Sequence, residues 1–190
     1  MKSRLLILVS GSVLAIGACN KNNEATTTNA ADTNIAMDNG VAVNAAEAGP
    51  LTAQGFANAA AASDRFEIES SKLAAANATS AAVKSFADKM ISAHTASTAK
   101  LKSAAAGMSP TLTPYDTLST DQQSTLDKLK ALKGADFDKA YAAAQVDAHQ
   151  KALDALNGYA ASGDNPTLKT FASGLIPTVT AHLNMAKALK

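Results

Sequence analysis

The sequence predicts an all-α protein: an antiparallel four-helix bundle with a short crossover helix between its second and third long helices. Three observations carry that expectation. Of the 190 residues, 44 are Ala; Ala is the best helix former and buries little area, so the helices must approach closely through small side chains. Larger apolar residues recur at i, i+3 and i+4 between Leu51 and Leu189, the period of an amphipathic helix. Capping residues and breakers then divide that span into four stretches of about 25 residues and one shorter stretch.

The N-terminus has a different character. Lys2 and Arg4 form a basic start, Leu5 to Ala15 form an apolar core, and the segment closes on Ile16-Gly17-Ala18-Cys19. This order is that of a secretory signal peptide. An aliphatic residue, two small residues and a Cys resemble the lipobox of bacterial lipoproteins. That resemblance implies a signal peptide over residues 1–18, a lipid on Cys19 and an anchor of two or three acyl chains, enough for stable attachment. Asn20 rather than Asp follows the Cys, which by the sorting preference of such proteins implies the outer membrane, with the domain on its periplasmic face. Residues 19–50 then form a tether. The run KNNEATTTNAADTNIAMDNGVAVNAAEAGP has no aromatic residue and no apolar period. It cannot bury enough surface to offset its ordering entropy, so it reads as disordered, spanning roughly 30 Å as a flexible coil.

Each helix of the domain, residues 51–190, has its own start and stop. Thr52 caps the first, which carries Phe56, Phe66 and Leu73 and runs to about Asn77. Ser80 caps the second, with Val83, Phe86, Ala87, Met90, His94 and Leu101 on one face, and Gly107 ends it in the C′ manner. Pro110 and Pro114 mark an extended crossing loop. Ser119 and Gln122 make a capping box for the short helix of Leu126, Leu129 and Leu132. Gly134 is expected to close that helix and Asp136 to start the next, through Phe137, Tyr141, Ala144, Ala148, Ala152 and Leu156. Asn165 and Pro166 open the last helix as cap and N1 residue; it carries Leu168, Phe171, Leu175, Val179 and His182, and Pro177 is expected to kink it. The anchors of the core are expected to be Phe56, Phe66, Phe86, Phe137 and Phe171.

Several function classes are excluded at this stage. A single Cys excludes a disulfide scaffold, and no run of 18 apolar residues marks a membrane-spanning helix. The net charge of +1, or −1 without Lys2 and Arg4, gives no basic stripe for nucleic acid. No Ser-His-Asp set and no phosphate-binding Gly loop is present.

The three histidines are the informative residues. His94 follows Ser80 by 14 residues, His149 follows Asp136 by 13, and His182 follows Pro166 by 16. Each is near mid-height on its helix, where antiparallel neighbours coincide. At 100° per residue His94 and His182 fall on the apolar face and His149 at its edge. Glu67 lies at the matching height of the first helix, in line with Ser63 and Ser70. Glu67, His94, His149 and His182 thus form a candidate ligand set for a single transition-metal ion such as Zn, Cu, Fe or Ni. The other reading is a polar layer, with Glu67 and Ser63 satisfying the imidazoles and fixing helix register. A di-iron centre is not expected, because Ile91, Val146 and Val179 stand three before each His where bridging carboxylates would be required. Asp138 faces inward, about 16 Å along the helix from His149.

The segments FEIESSKLA, FADKMISAH, GADFDKAYAAAQVDAHQKAL and LIPTVTAHLNMA resemble an uncharacterised bacterial envelope family, domain of unknown function 4142. The resemblance covers Leu51 to Leu189, with its hallmark positions at Glu67, His94, Phe137-Asp138, His149 and His182; Ala93 departs from the acidic residue many members carry there. It implies a ferritin-like bundle in the cell envelope and no established activity. The function expected is therefore that of a monomeric, non-enzymatic envelope lipoprotein that binds a transition metal or an envelope partner. The alternatives are a mononuclear-metal enzyme using the same four residues, or a purely structural, stress-related bundle.

Overall fold

The computed structural model describes residues 52–189. The expected signal peptide, Cys19 and the expected tether lie outside the described residues. Five α-helices and no strand are found within them: α1 (Ala53–Asn77), α2 (Ala81–Ala106), α3 (Thr120–Ala131), α4 (Gly134–Ser162) and α5 (Pro166–Lys187).

The caps explain the boundaries. The side chains of Thr52, Ser80 and Asn165 accept from Gly55, Val83 and Leu168, each satisfying one of the N–H groups that a helix start leaves open. Ser119 and Gln122 form the expected reciprocal box on α3. The α1–α2 turn has a further fastener: Asp138 of α4 accepts from the backbone N–H groups of Thr79 and Ser80 and from the Thr79 hydroxyl. Burial alone would raise its pKa, but these hydrogen bonds prevail and hold the carboxyl below its ordinary value.

Three local expectations are corrected. Gly134 does not close α3: that helix stops at Ala131, Leu132 and Lys133 are extended, and Gly134, at φ +63°, is the first residue of α4. Asp136 therefore sits in the first turn of α4, where a carboxylate meets the positive end of the helix dipole. Gly107 does cap α2, yet at φ −80°, so it uses none of the left-handed freedom of glycine. Phe171 is only half-buried; its neighbour Ala172 occupies the interior. α5 runs on through Pro177 without ending.

The helices pack in two pairs, α1 with α2 and α4 with α5, joined by contacts of α1 with α4 and α2 with α5; α3 lies against α1 and α4. Their apolar interior falls into two clusters. One gathers Phe56, Leu101, Leu156, Tyr159 and Leu168, with Phe56 stacked on Tyr159 at 4.0 Å. The other gathers Val83, Phe86, Met90, Phe137 and Tyr141, with Phe137 stacked on Tyr141 at 5.6 Å. Phe66 is buried as well. By residue number, α1 and α5 run from the first cluster toward the second, and α2 and α4 the opposite way. Toward the middle of every long helix come further buried polar residues.

Candidate metal centre

Four helices each contribute to that polar layer. α2 supplies His94, α4 His149 with Gln145 one turn earlier, α5 His182, and α1 a ladder of Asp64, Glu67, Ser70 and Ser71, all buried. Such residues are tolerated inside only when partnered, and most are. Tyr141 and Ser71 share a hydrogen bond at 2.7 Å, and Gln145 donates to the Ser70 hydroxyl at 3.1 Å.

The imidazoles gather at the centre of the layer. Their ring centroids are 5.5–5.8 Å apart, and one ring nitrogen from each lies within 4.8 Å of the other two. His149 Nδ1 is 2.8 Å from the carbonyl of Gln145, which can only accept, so this nitrogen carries the proton. His94 Nδ1 likewise donates to Asp64 Oδ1 at 2.8 Å. A neutral ring protonated at Nδ1 offers its lone pair at Nε2. His94 Nε2, His149 Nε2 and His182 Nδ1 are all buried and lack a partner.

Electrostatics divides the three rings. Burial, with the neighbouring His94 charge, pushes His149 and His182 down to about 4, so both are neutral at physiological pH. Burial opposes the charged form of His94 too, but the Asp64 hydrogen bond and the nearby carboxylates outweigh it and raise its pKa.

Glu67 is placed differently from the expectation of a fourth ligand at the same point. It is 1% exposed, and its Oε1 stands 3.6 Å from His149 Nδ1, the nitrogen facing away from the unpaired Nε2. Neither carboxylate oxygen has a hydrogen-bond partner. Burial pushes its pKa up to about 7, against the pull of His94 and Gln145. The structure therefore brings three of the four predicted residues together at one point and sets Glu67 behind one of them. Ser63, expected to support Glu67, is only half-buried, and Asp64 takes the supporting role toward His94.

Three buried ring nitrogens without a hydrogen-bond partner are costly, each unsatisfied group worth about 1–3 kcal/mol. A cation among them would remove that cost, and neutral imidazole nitrogen suits Zn, Cu, Ni and Fe. The donor set fits a transition-metal ion, with His94, His149 and His182 as the residues that would hold it. Ile91, Val146 and Val179, three residues before each His, supply no carboxylate.

The sequence matches the family described as Domain of unknown function (DUF4142) over residues 38–189. The chain belongs to that family. The DUF4142 match begins at Asp38, ahead of the domain start expected at residue 51. No curated protein matches the chain. Among solved structures, the DUF4142 domain is similar to "CopM in the Cu(II)-bound form", with a TM-score of 0.62 and 16% identity over 74% of this chain and 96% of that one. At that identity the likeness concerns the fold, which in both is helical.

Two partners in this site, Asp64 and Gln145, are not among the residues the sequence predicts for it. Asp64 stands three residues before Glu67, and Gln145 four before His149, spacings that place each pair on neighbouring positions of one helix face. That signal was readable in both cases.

Proposed function

We propose that this chain is a non-enzymatic envelope lipoprotein whose domain is an antiparallel four-helix bundle of the ferritin-like kind, and that the bundle binds a single transition-metal ion through His94, His149 and His182. One observation carries the metal reading: the three imidazoles each bring a ring nitrogen within 4.8 Å of the other two, and each has a buried nitrogen with no hydrogen-bond partner. The alternating direction in which the four long helices cross the two apolar clusters supports the antiparallel arrangement. CopM, the structural relative, was solved with Cu(II), which makes copper the first ion to test, with Zn(II) beside it. Binding rather than catalysis is favoured because the three histidines are only 1–8% exposed, leaving little room for a substrate beside a bound ion.

Added Cu(II) or Zn(II) is expected to raise the melting temperature of the wild-type protein, since an ion bound only by the folded state stabilises it by mass action. His94→Ala should abolish that increment while helical content persists. A melting curve unmoved by either ion at neutral pH would overturn the metal reading. Anchoring rests on Ile16 to Cys19: Cys19→Ser should release the protein from membranes, and wild-type protein found soluble with a free thiol would overturn it.

A further inference from the structure

The buried layer contains carboxylates but no lysine or arginine. Among the described residues the buried polar side chains include Asp64, Glu67 and three histidines, and every buried position in the layer lacks a fixed positive charge. Arg65, next to Asp64 in sequence, points outward to Glu69 and Asp116. The two carboxylates stand behind different imidazoles. Asp64 Oδ1 is 2.8 Å from His94 Nδ1, and its Oδ2 is 3.1 Å from the Thr98 hydroxyl. Glu67 Oε1 is 3.6 Å from His149 Nδ1. Both residues face the ring nitrogens opposite the unpaired ones, one turn apart on α1.

From this placement we infer that Asp64 and Glu67 are positioning and charge-matching residues that make the three-histidine site selective for a divalent over a monovalent cation. This rests on the metal-binding reading above. With a metal bound, all three imidazoles must be neutral to act as ligands and contribute no charge. A dication with two buried carboxylates sums to zero, whereas a monocation leaves one net negative charge in the core, and uncompensated buried charge is strongly unfavourable. A carboxylate behind a ligating imidazole also fixes the ring and raises its basicity. Asp64 meets both requirements, because its second oxygen is held by Thr98. Neither Glu67 oxygen has a hydrogen-bond partner, and the His149 ring stands beside it.

The test compares Zn(II), Cu(II) and, without oxygen, Cu(I), each measured by competition against chelators of known strength. The proteins are the full-length chain, Asp64→Asn, Glu67→Gln, Thr98→Val and Asp147→Asn. Both carboxylate replacements nearly preserve shape, and testing them separately guards against one failing to fold. Each is expected to lose 10- to 100-fold in Zn(II) and Cu(II) affinity, with Cu(I) affinity changing by less than threefold. The potential of bound copper should then rise by about 59 mV for each tenfold change in the Cu(II)-to-Cu(I) affinity ratio. Thr98→Val, which loosens Asp64 but keeps its charge, should leave that ratio in place. Asp147→Asn removes a charge that is solvent-exposed and should change nothing. Equal losses for Cu(I) and the dications, or no loss at all, would overturn the inference while leaving the metal reading intact. Wild-type protein that binds none of the three ions would overturn both.

Discussion

His149 illustrates how a side chain at the edge of a predicted apolar face becomes the most buried of its set. Its Nδ1–H is satisfied within its own helix by Gln145, so the donor side of the ring enters the core without a tertiary acceptor, and only Nε2 is left without a partner. The pKa shifts around it set a pH profile for the metal-free protein. His149 and His182 titrate near 4 when folded and near 6.5 when unfolded, so the unfolded chain binds more protons in that window and stability falls as pH drops from 6.5 to 4. Glu67 acts in the opposite sense. Its folded pKa of about 7 lies above its unfolded value, so stability is lost as pH rises from the unfolded value through 7. Between 4.5 and 6.5 two imidazoles outweigh one carboxyl, and the net slope is about 1.4 kcal/mol per pH unit. The contribution of His94, whose folded pKa is raised, is also lost as pH rises above 6.5. Urea melts of the metal-free protein should therefore show a maximum near pH 6.5, and Glu67→Gln should be more stable than wild type at pH 8 by about 1–3 kcal/mol. A profile flat from pH 5 to 8 would contradict this. Counting residues from each cap placed the histidines at one level, because all α-helices share the same rise. It could not say which side of a ring faces which neighbour, so Glu67 was expected beside the imidazoles rather than behind one.

At the scale of elements, the helix starts were legible because a cap is a local event. A hydroxyl or amide two or three residues before an apolar run is enough to mark it, as Thr52, Ser80, Ser119 and Asn165 do. The α3–α4 junction departs from the expected boundary because Gly134 and Asp136 fit the common pattern of a stop followed by a cap, while the start of α4 also has to meet the α1–α2 turn. Asp138 makes that meeting. Asp138→Ala would leave the N–H groups of Thr79 and Ser80 without their acceptor and should cost about 1–3 kcal/mol. Part of that contribution should vanish in wild-type protein as pH falls through the depressed pKa of this carboxyl. If thermal melts of the two proteins coincide at neutral pH, the fastener has no energetic role. The aromatic anchors divide in the same way. Phe56, at 2% exposure and stacked on Tyr159, should cost about 3–5 kcal/mol on replacement by Ala. Phe171, half-buried and only edge-on to Phe56, should cost less, and equal losses in denaturant titrations would contradict the burial difference.

For the molecule as a whole, the alternation of apolar cluster, polar layer and apolar cluster solves a problem that its composition creates. Helices this rich in Ala present nearly the same profile at every turn, and shallow side chains interlock weakly, so one helix slid along its neighbour by about 5.4 Å would lose little packing. The histidine and carboxylate layer removes that degeneracy. A slip of one turn would set Glu67 and the imidazoles against Leu, Phe and Met side chains, stranding several polar atoms at once. In this respect the layer works as a key cut at a single height, the role for which buried polar groups are best attested. Replacing Glu67, His94, His149 and His182 together by Leu should therefore raise the melting temperature of the metal-free protein while multiplying its amide resonances, as alternative alignments of the same helices become populated. One sharp set of resonances from that variant would mean that the alignment is fixed by the turns alone.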